Sequence, residues 1–320
     1  MKAPVHPRLT YIGAGSTVEA ARPRVSPELI AVLAGRLSAR DIWLLELLHE
    51  HRVLTTGQIR ELAFSGISAA THRMLTLWRL RAVERFRPAV VAGSAPLHYV
   101  LGPAGAAVLA ERRNVSIAQF GYRLDRALAL AASDKLTHLV GSNSLFTALV
   151  AHARTHPDAG LDTWWSERRC TAMWGKIVRP DGYGRWHEDD RATDFFTEHD
   201  TGTEPLPRLL TKIGDYAALA DMTGLTHTPV LFTLPGAIRE QHLHAHTHPS
   251  LPPIATTTPQ ALDAAGGPAG PAWQPLTPAS HSSGQARRRL ADLPPGTRTG
   301  GWSRPTNPSW SPSASSGSYC

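Results

Sequence analysis

The sequence predicts an α+β chain of two modules, and three observations carry that reading. Apolar residues recur at helical spacing in three short segments between Ser38 and Arg81, and two strand-like runs follow directly. A second succession, helix, three strands, helix, strand, runs from about residue 133 to 234. The 320 residues are 42% hydrophobic, enough for two modest cores. No apolar run nears the roughly 20 residues of a membrane span. Two cysteines, Cys170 and Cys320, neither staple a chain of this size nor supply a four-thiolate zinc site. The first residues, MKAPVHPRLTYIG, carry no apolar signal core, so a cytoplasmic protein without a membrane partner is expected.

Residues 1–37 hold Pro4, Pro7, Pro23 and Pro27 among short apolar pieces and read as a flexible arm. Within them GAGST (13–17) matches no complete phosphate-loop pattern and reads as linker. From Ser38 the pattern tightens. Ser38 and Asp41 make a capping-box-like start with Asp in place of Glu, and Ile42, Leu44, Leu45, Leu47 and Leu48 give the apolar face. A second helix opens at Thr55-Thr56 and carries Ile59 and Leu62. A third runs from about Ser68 to Arg81 with Met74, Leu75, Trp78 and Leu80 inward. The runs ERFRPAVV (84–91) and LHYVL (97–101), joined by the turn AGSAP, complete a hairpin, and a last helix begins near Pro103. Three helices closed by a hairpin is the order of a winged helix-turn-helix, assigned to residues 38–110. Residues 111–132 read as a linker.

The second module is assigned to residues 133–293. It begins with a long helix over 133–154, then strands near 161–167, 174–179 and 193–199. A helix opens at Pro205 with Thr203 as its cap and runs to about Leu219, and TPVLFTL (228–234) is the next strand. A histidine-bearing piece, a short strand at Pro253–Ala255 and a basic helix at 285–293 follow. His242, His244, His246 and His248 alternate, but Pro249 and Pro252 follow and the segment reads as an exposed loop, not a zinc site. Trp164, Trp165, Trp174 and Trp186 read as core, not as base-stacking platforms. Residues 294–320 are rich in Pro, Gly, Ser and Thr and read as a disordered tail.

The chain has 33 basic and 26 acidic residues, a net charge of +7. Only Lys2, Lys135, Lys176 and Lys212 are lysines, a bias that a GC-rich coding sequence also produces, so location decides. Between residues 65 and 87 stand five arginines against Glu84 alone. In a helix-turn-helix the second helix of the pair presents its N-terminal residues to base edges. Here Thr71, His72 and Arg73 supply donors there, while Arg79, Arg81, Arg85 and Arg87 form a stripe for phosphates. Double-stranded DNA is the expected partner; a solvated face or a protein-docking module is the alternative.

A second group lies in RPDGYG (179–184) and DFFTEHDTGTEPLPRLLTKIGDY (194–216). Glu198 and Asp200 are two apart, so a strand points both to one face, and Asp181 ends a preceding strand beside them. Clustered carboxylates suit a divalent cation, and Mg²⁺ suits phosphodiester hydrolysis. Lys212, on the next helix, is the candidate for positioning water. The alternative is turn chemistry, with Asp200 and Thr203 as caps and Asp181 in a Pro-Asp-Gly turn.

On these residues the second module resembles the PD-(D/E)XK nucleases: Pro180-Asp181, the acidic strand position Glu198 and the element order. Asp200 stands where that family places lysine, and some members recruit the lysine from the next helix, as Lys212 would be. More broadly, LSARDIWLLELLHEHRVLTTGQI (37–59), LWRLRAVERFRP (77–88), RPDGYGRW (179–186) and DFFTEHDTGTEPLPRLLTKIGDYAAL (194–219) resemble the replication-relaxation family. REQHL (239–243) and ARRRLADL (286–293) continue the likeness. The resemblance implies a DNA-binding protein in the replication or DNA relaxation of a plasmid or mobile element, with replication or transfer proteins as partners. With the acids and Lys212 it implies metal-dependent nicking; the alternative is a non-catalytic regulator with a vestigial nuclease-like domain.

Overall fold

The computed structural model describes residues 22–88, 93–246, 252–276 and 286–293. The chain is a mixed α and β protein that divides into two units between Thr147 and Ala148. Among the described residues no helix is long and apolar enough to cross a membrane. GAGST, the residues from 294 on and His248 lie outside the described residues.

The first unit opens with a helix where an arm was expected. In α1, Pro27–Arg36, the Ser26 hydroxyl accepts from the Leu29 N–H at 3.3 Å, and Leu33 is buried. Proline reads as a breaker inside a helix but is tolerated at its first position, which is how Pro27 misleads. The capping box forms as the sequence predicts: Ser38 and Asp41 exchange hydrogen bonds at the start of α2, Ala39–His51. Thr55 and Gln58 make a second box opening α3, Thr56–Ala63. α4, Ile67–Arg79, follows and buries Ala70, Met74, Leu77 and Trp78.

The hairpin strands are β2, Val83–Phe86, and β3, His98–Leu101. A short strand that the sequence reading missed, β1 (Leu54–Thr55), pairs with β3, giving an antiparallel sheet in the order β1-β3-β2. α5, Pro103–Arg112, packs on α1 and α2. Its first turn needs glycine at two places: a Cβ on Gly102 would meet the Arg81 carbonyl oxygen at 2.4 Å, and one on Gly105 the Ala82 carbonyl oxygen at 2.2 Å.

Residues 111–132, expected as a linker, are part of this unit. They carry α6 (Ile117–Phe120), α7 (Leu124–Leu128) and a 3-10 turn, and Leu130 is buried with Val53, Phe86, Val100 and Leu136. α8, Lys135–Ala153, begins in this unit and ends in the next. The Asn143 amide donates to the Val53 carbonyl at 2.9 Å, and the Gln58 amide to that of Val140 at 2.8 Å.

The second unit is built on a six-stranded sheet in sequence order. β4 (Ala159–Ser166), β5 (Gly182–Glu188) and β6 (Arg191–His199) are antiparallel neighbours. α10, Leu206–Thr223, then crosses over to β7, Val230–Thr233, which runs parallel to β6. β8 (Ile254–Thr257) is parallel to β7, and β9 (Gln274–Pro275) closes the sheet antiparallel. Trp165, Trp174, Tyr183, Phe196 and Tyr216 lie in one buried cluster, and Trp164 and Trp186 are buried too, so all four tryptophans are core.

Four expectations are corrected here. Residues 174–179 form no strand: α9, Glu167–Trp174, is capped by the Ser166 hydroxyl and buries Cys170 and Trp174 at a spacing of one turn. Thr203 does not cap α10, whose N-cap is Pro205 without a side-chain bond. The histidines lie on α11, Ala237–His246, so alternation does not gather them: His244 is buried, while His242 and His246 are exposed. The segment expected as a basic helix is a bridge between Trp273 and Arg288 followed by a 3-10 turn at Leu290–Asp292. Arg287 is drawn inward there, with its guanidinium on Glu240 at 2.5 Å.

Candidate functional site

Two groups of side chains stand out, one in each unit. In the first, α4 turns Ser68, His72, Thr76 and Arg79 to solvent. The helix contains no acidic residue, so this face offers donors without a competing carboxylate. Thr71 is half-buried, its hydroxyl donating to the Ile67 carbonyl at 2.8 Å. Arg73 does not join that face. Its guanidinium bonds to Asp41, 2.8 Å from Nε, and it also reaches the Arg36 carbonyl at 3.3 Å. Arg73, on the second turn of α4, is thus held at the cap of α2.

The remaining arginines gather at the end of α4 and along β2. Arg81 turns the chain with a positive φ of 58° and lies 3.7 Å from buried Glu84, which also takes Arg22 at 2.7 Å. The Arg85 guanidinium lies 3.9 Å over the Trp78 ring, and Arg22 4.5 Å from the same ring. Arg87 donates to the Ser94 hydroxyl at 2.5 Å. Arg81, Arg85 and Arg87 are half-buried. Ser68, Thr76 and Arg22 were not anticipated; the first two share the i, i+4 stripe of His72 and were readable from it.

In the second unit the centre is Glu198, on β6 and 3% exposed. The Lys212 ammonium bonds to its Oε2, and the Tyr216 hydroxyl donates to its Oε1 at 2.5 Å. Lys212 and Tyr216 are one turn apart on α10, so they reach the same carboxylate from one face. That spacing was in the sequence, yet Tyr216 was not singled out. Asp181 precedes β5 instead of ending a strand, and the antiparallel register with Gly182 opposite Thr197 carries it beside Glu198. The His199 N–H donates to Asp181 Oδ2 at 2.8 Å. Burial, then the charge of Asp181, push the Glu198 pKa well up, against the pull of Lys212 and Tyr216. Burial pushes the Tyr216 phenol up, and the adjoining carboxylates push it further. At Lys212 burial works downward, but Glu198 and Asp181 outweigh it and hold the ammonium charged.

Asp200 goes elsewhere. Its Oδ1 accepts the Gly202 N–H at 2.8 Å, and its Oδ2 takes Arg239 of α11 at 2.7 Å. Arg239 also bonds the Glu204 carbonyl at 2.6 Å, so it clamps both ends of the 200–204 turn. The expected convergence is therefore Asp181, Glu198 and Lys212, without Asp200. Among the described residues no three His, Cys, Asp or Glu side chains stand together as a metal-holding group. Mg²⁺ takes free carboxylate oxygens, and both oxygens of Glu198 are already occupied by donors. The set expected from Asp181, Glu198 and Asp200 thus does not fit a resident ion.

No curated protein and no solved structure matches the chain. The model of one family, replication-relaxation, matches residues 45–231, more than half of the chain. The match takes in the exposed face of α4, the arginines of β2, and Asp181, Glu198, Lys212 and Tyr216. This chain belongs to the replication-relaxation family.

Proposed function

We propose that the chain is a DNA-binding protein serving replication or relaxation of a plasmid-like element, and that its second unit binds without cutting. In this reading α3 and α4 are the helix-turn-helix pair, α4 enters the major groove, and β2 with β3 forms the wing of a winged helix-turn-helix. The observation that carries it is the exposed, carboxylate-free face of α4, with Arg79 at its end and the half-buried Arg85 and Arg87 on and just after β2. Phosphate oxygens are acceptors of the required charge and geometry. His72 and Thr76 face the bases, and Arg79, Arg81, Arg85 and Arg87 take the backbone.

In this reading the second unit is a PD-(D/E)XK-like frame, supported by antiparallel β4, β5 and β6 followed by the α10 crossover into parallel β7. Asp200 is turned to Arg239, and both oxygens of Glu198 are taken by Lys212 and Tyr216, which favours a frame kept for binding over a working nuclease. Fluorescence anisotropy of the full chain on duplex DNA, from low to high salt, tests the first part. Affinity that falls steeply with salt is expected; no affinity at low salt would overturn it. Incubating supercoiled plasmid with the chain, with and without Mg²⁺ or Mn²⁺, tests the second. Intact plasmid is expected, and nicking abolished by Glu198→Ala would restore the nuclease reading.

A further inference from the structure

α1 has the sequence PELIAVLAGR, apolar on every side between Glu28 and Arg36, yet only Leu33 is fully buried. A helix apolar all round belongs in an interior. Ala31, Val32, Ala34 and Gly35 are exposed. Beside them lies an apolar groove of about 1010 Å³ between α1, α2, α5 and α6, with Val25, Ile30, Ala34, Ile42, Val108 and Ile117 among its walls. Of the eight exposed large hydrophobic residues described, four (Val25, Val32, Val115 and Ile117) fall on this helix or this groove. Clustering of that kind marks an interaction surface, whereas scattered exposure does not.

We propose that this face is a homodimer interface, in which α1 packs antiparallel against α1 of a second copy across Ala31 and Gly35. Two features of α1 select a second copy as occupant. The first is charge. α1 carries Glu28 in its first turn and Arg36 in its last, so antiparallel pairing sets each acid against the partner's base at both ends. The second is Gly35. A Cβ there would meet nothing within 4 Å, and its φ is ordinary, so the single chain gives no reason for glycine. Glycine weakens a helix relative to alanine. Close approach of another backbone is what Ala31 and Gly35, one turn apart, permit. The interface uses neither α4 nor the Glu198 site, and so stands whether or not the DNA reading does.

Sedimentation velocity of the full chain from about 1 to 100 μM is the test. A dimer is expected, and Gly35→Arg should weaken it at least about tenfold while leaving the thermal midpoint, compared at concentrations where both proteins are monomeric, unchanged or higher, because the added side chain has open space and better helix propensity. Glu28→Arg should weaken it as well, and adding Arg36→Glu should restore it. If Gly35→Arg disturbs folding, this charge-reversal pair carries the test alone. A monomer at every concentration overturns the proposal and leaves the groove to residues 1–21 or to another protein. So does a dimer indifferent to Gly35→Arg and to the charge reversals, since it would use a different surface.

Discussion

Asp41 in the first unit and Glu198 in the second are both carboxylates sealed from water, with side chains 1% and 3% exposed, and both bond to a basic side chain. Their surroundings push them in opposite directions. Burial raises the Asp41 pKa, but hydrogen bonds from Arg73 and Ser38 more than reverse it, and the group is held below its usual range. Glu198 has donors too, yet complete burial and a second carboxylate, Asp181, win. Asp41 is the pivot of a helix cap, with every neighbour favouring its charge. Glu198 is kept where burial and Asp181 oppose its charge while Lys212 and Tyr216 favour it.

The largest expected effect follows from the first of the two. Asp41→Asn should lower the unfolding free energy at pH 7 by about 2–3 kcal/mol, since Arg73 loses its partner but keeps partial access to water. The stabilisation is full above the ordinary carboxylate range and fades as pH falls through the depressed folded pKa. Urea unfolding at pH 7 and pH 3 should therefore show a gap that closes in acid. A gap that persists in acid would mean that the amide disturbs packing and that the ion pair is incidental.

Glu198→Gln should do the reverse, at about half the size. With the folded pKa raised, stability falls as pH rises from the ordinary carboxylate range towards the folded pKa. The amide removes that dependence, and above neutral pH the variant should be more stable by about 1 kcal/mol. At pH 4 the gain should disappear. A loss of stability at pH 8 would show that Lys212 and Tyr216 outweigh burial, and the contrast with Asp41 would fail.

The same two carboxylates mark how far the sequence could be read. Ser38, Thr55 and their partners three residues on are local signals, and the helices they open lie where expected. Lys212 and Glu198 meet because strand alternation and one helix crossover suffice to bring them together. Arg239 and Asp200 are 39 positions apart and Arg73 and Asp41 are 32, and nothing local announces such pairs. That is why Asp200 was given to a metal and Arg73 to a base. α1 was hidden by Pro27, a breaker everywhere except at a helix start. β5 was hidden by its own composition, because GYG reads as a turn until β4 and β6 pair with it on both sides. The strand expected at 174–179 gives way to α9, because the Ser166 cap and the Cys170 to Trp174 spacing favour a helix that ends at Trp174.

The smallest effect separates arginines that are committed from those that are not. Arg79 is exposed at the end of α4, whereas Arg73 is bound to Asp41 inside the unit. If α4 and β2 meet duplex DNA, Arg79→Ala removes one phosphate contact. It should weaken binding by roughly 1 kcal/mol, equally on all sequences, and lower the magnitude of the salt slope by about 1. Arg73→Ala should leave that slope unchanged, and its cost should appear in the unfolding midpoint, because its charge is already spent on Asp41. Measuring anisotropy against salt for both variants, with thermal unfolding beside it, places each arginine on one axis or the other. A slope that falls for Arg73→Ala and not for Arg79→Ala would mean that the ion pair opens on DNA and that Arg73 reads the duplex after all.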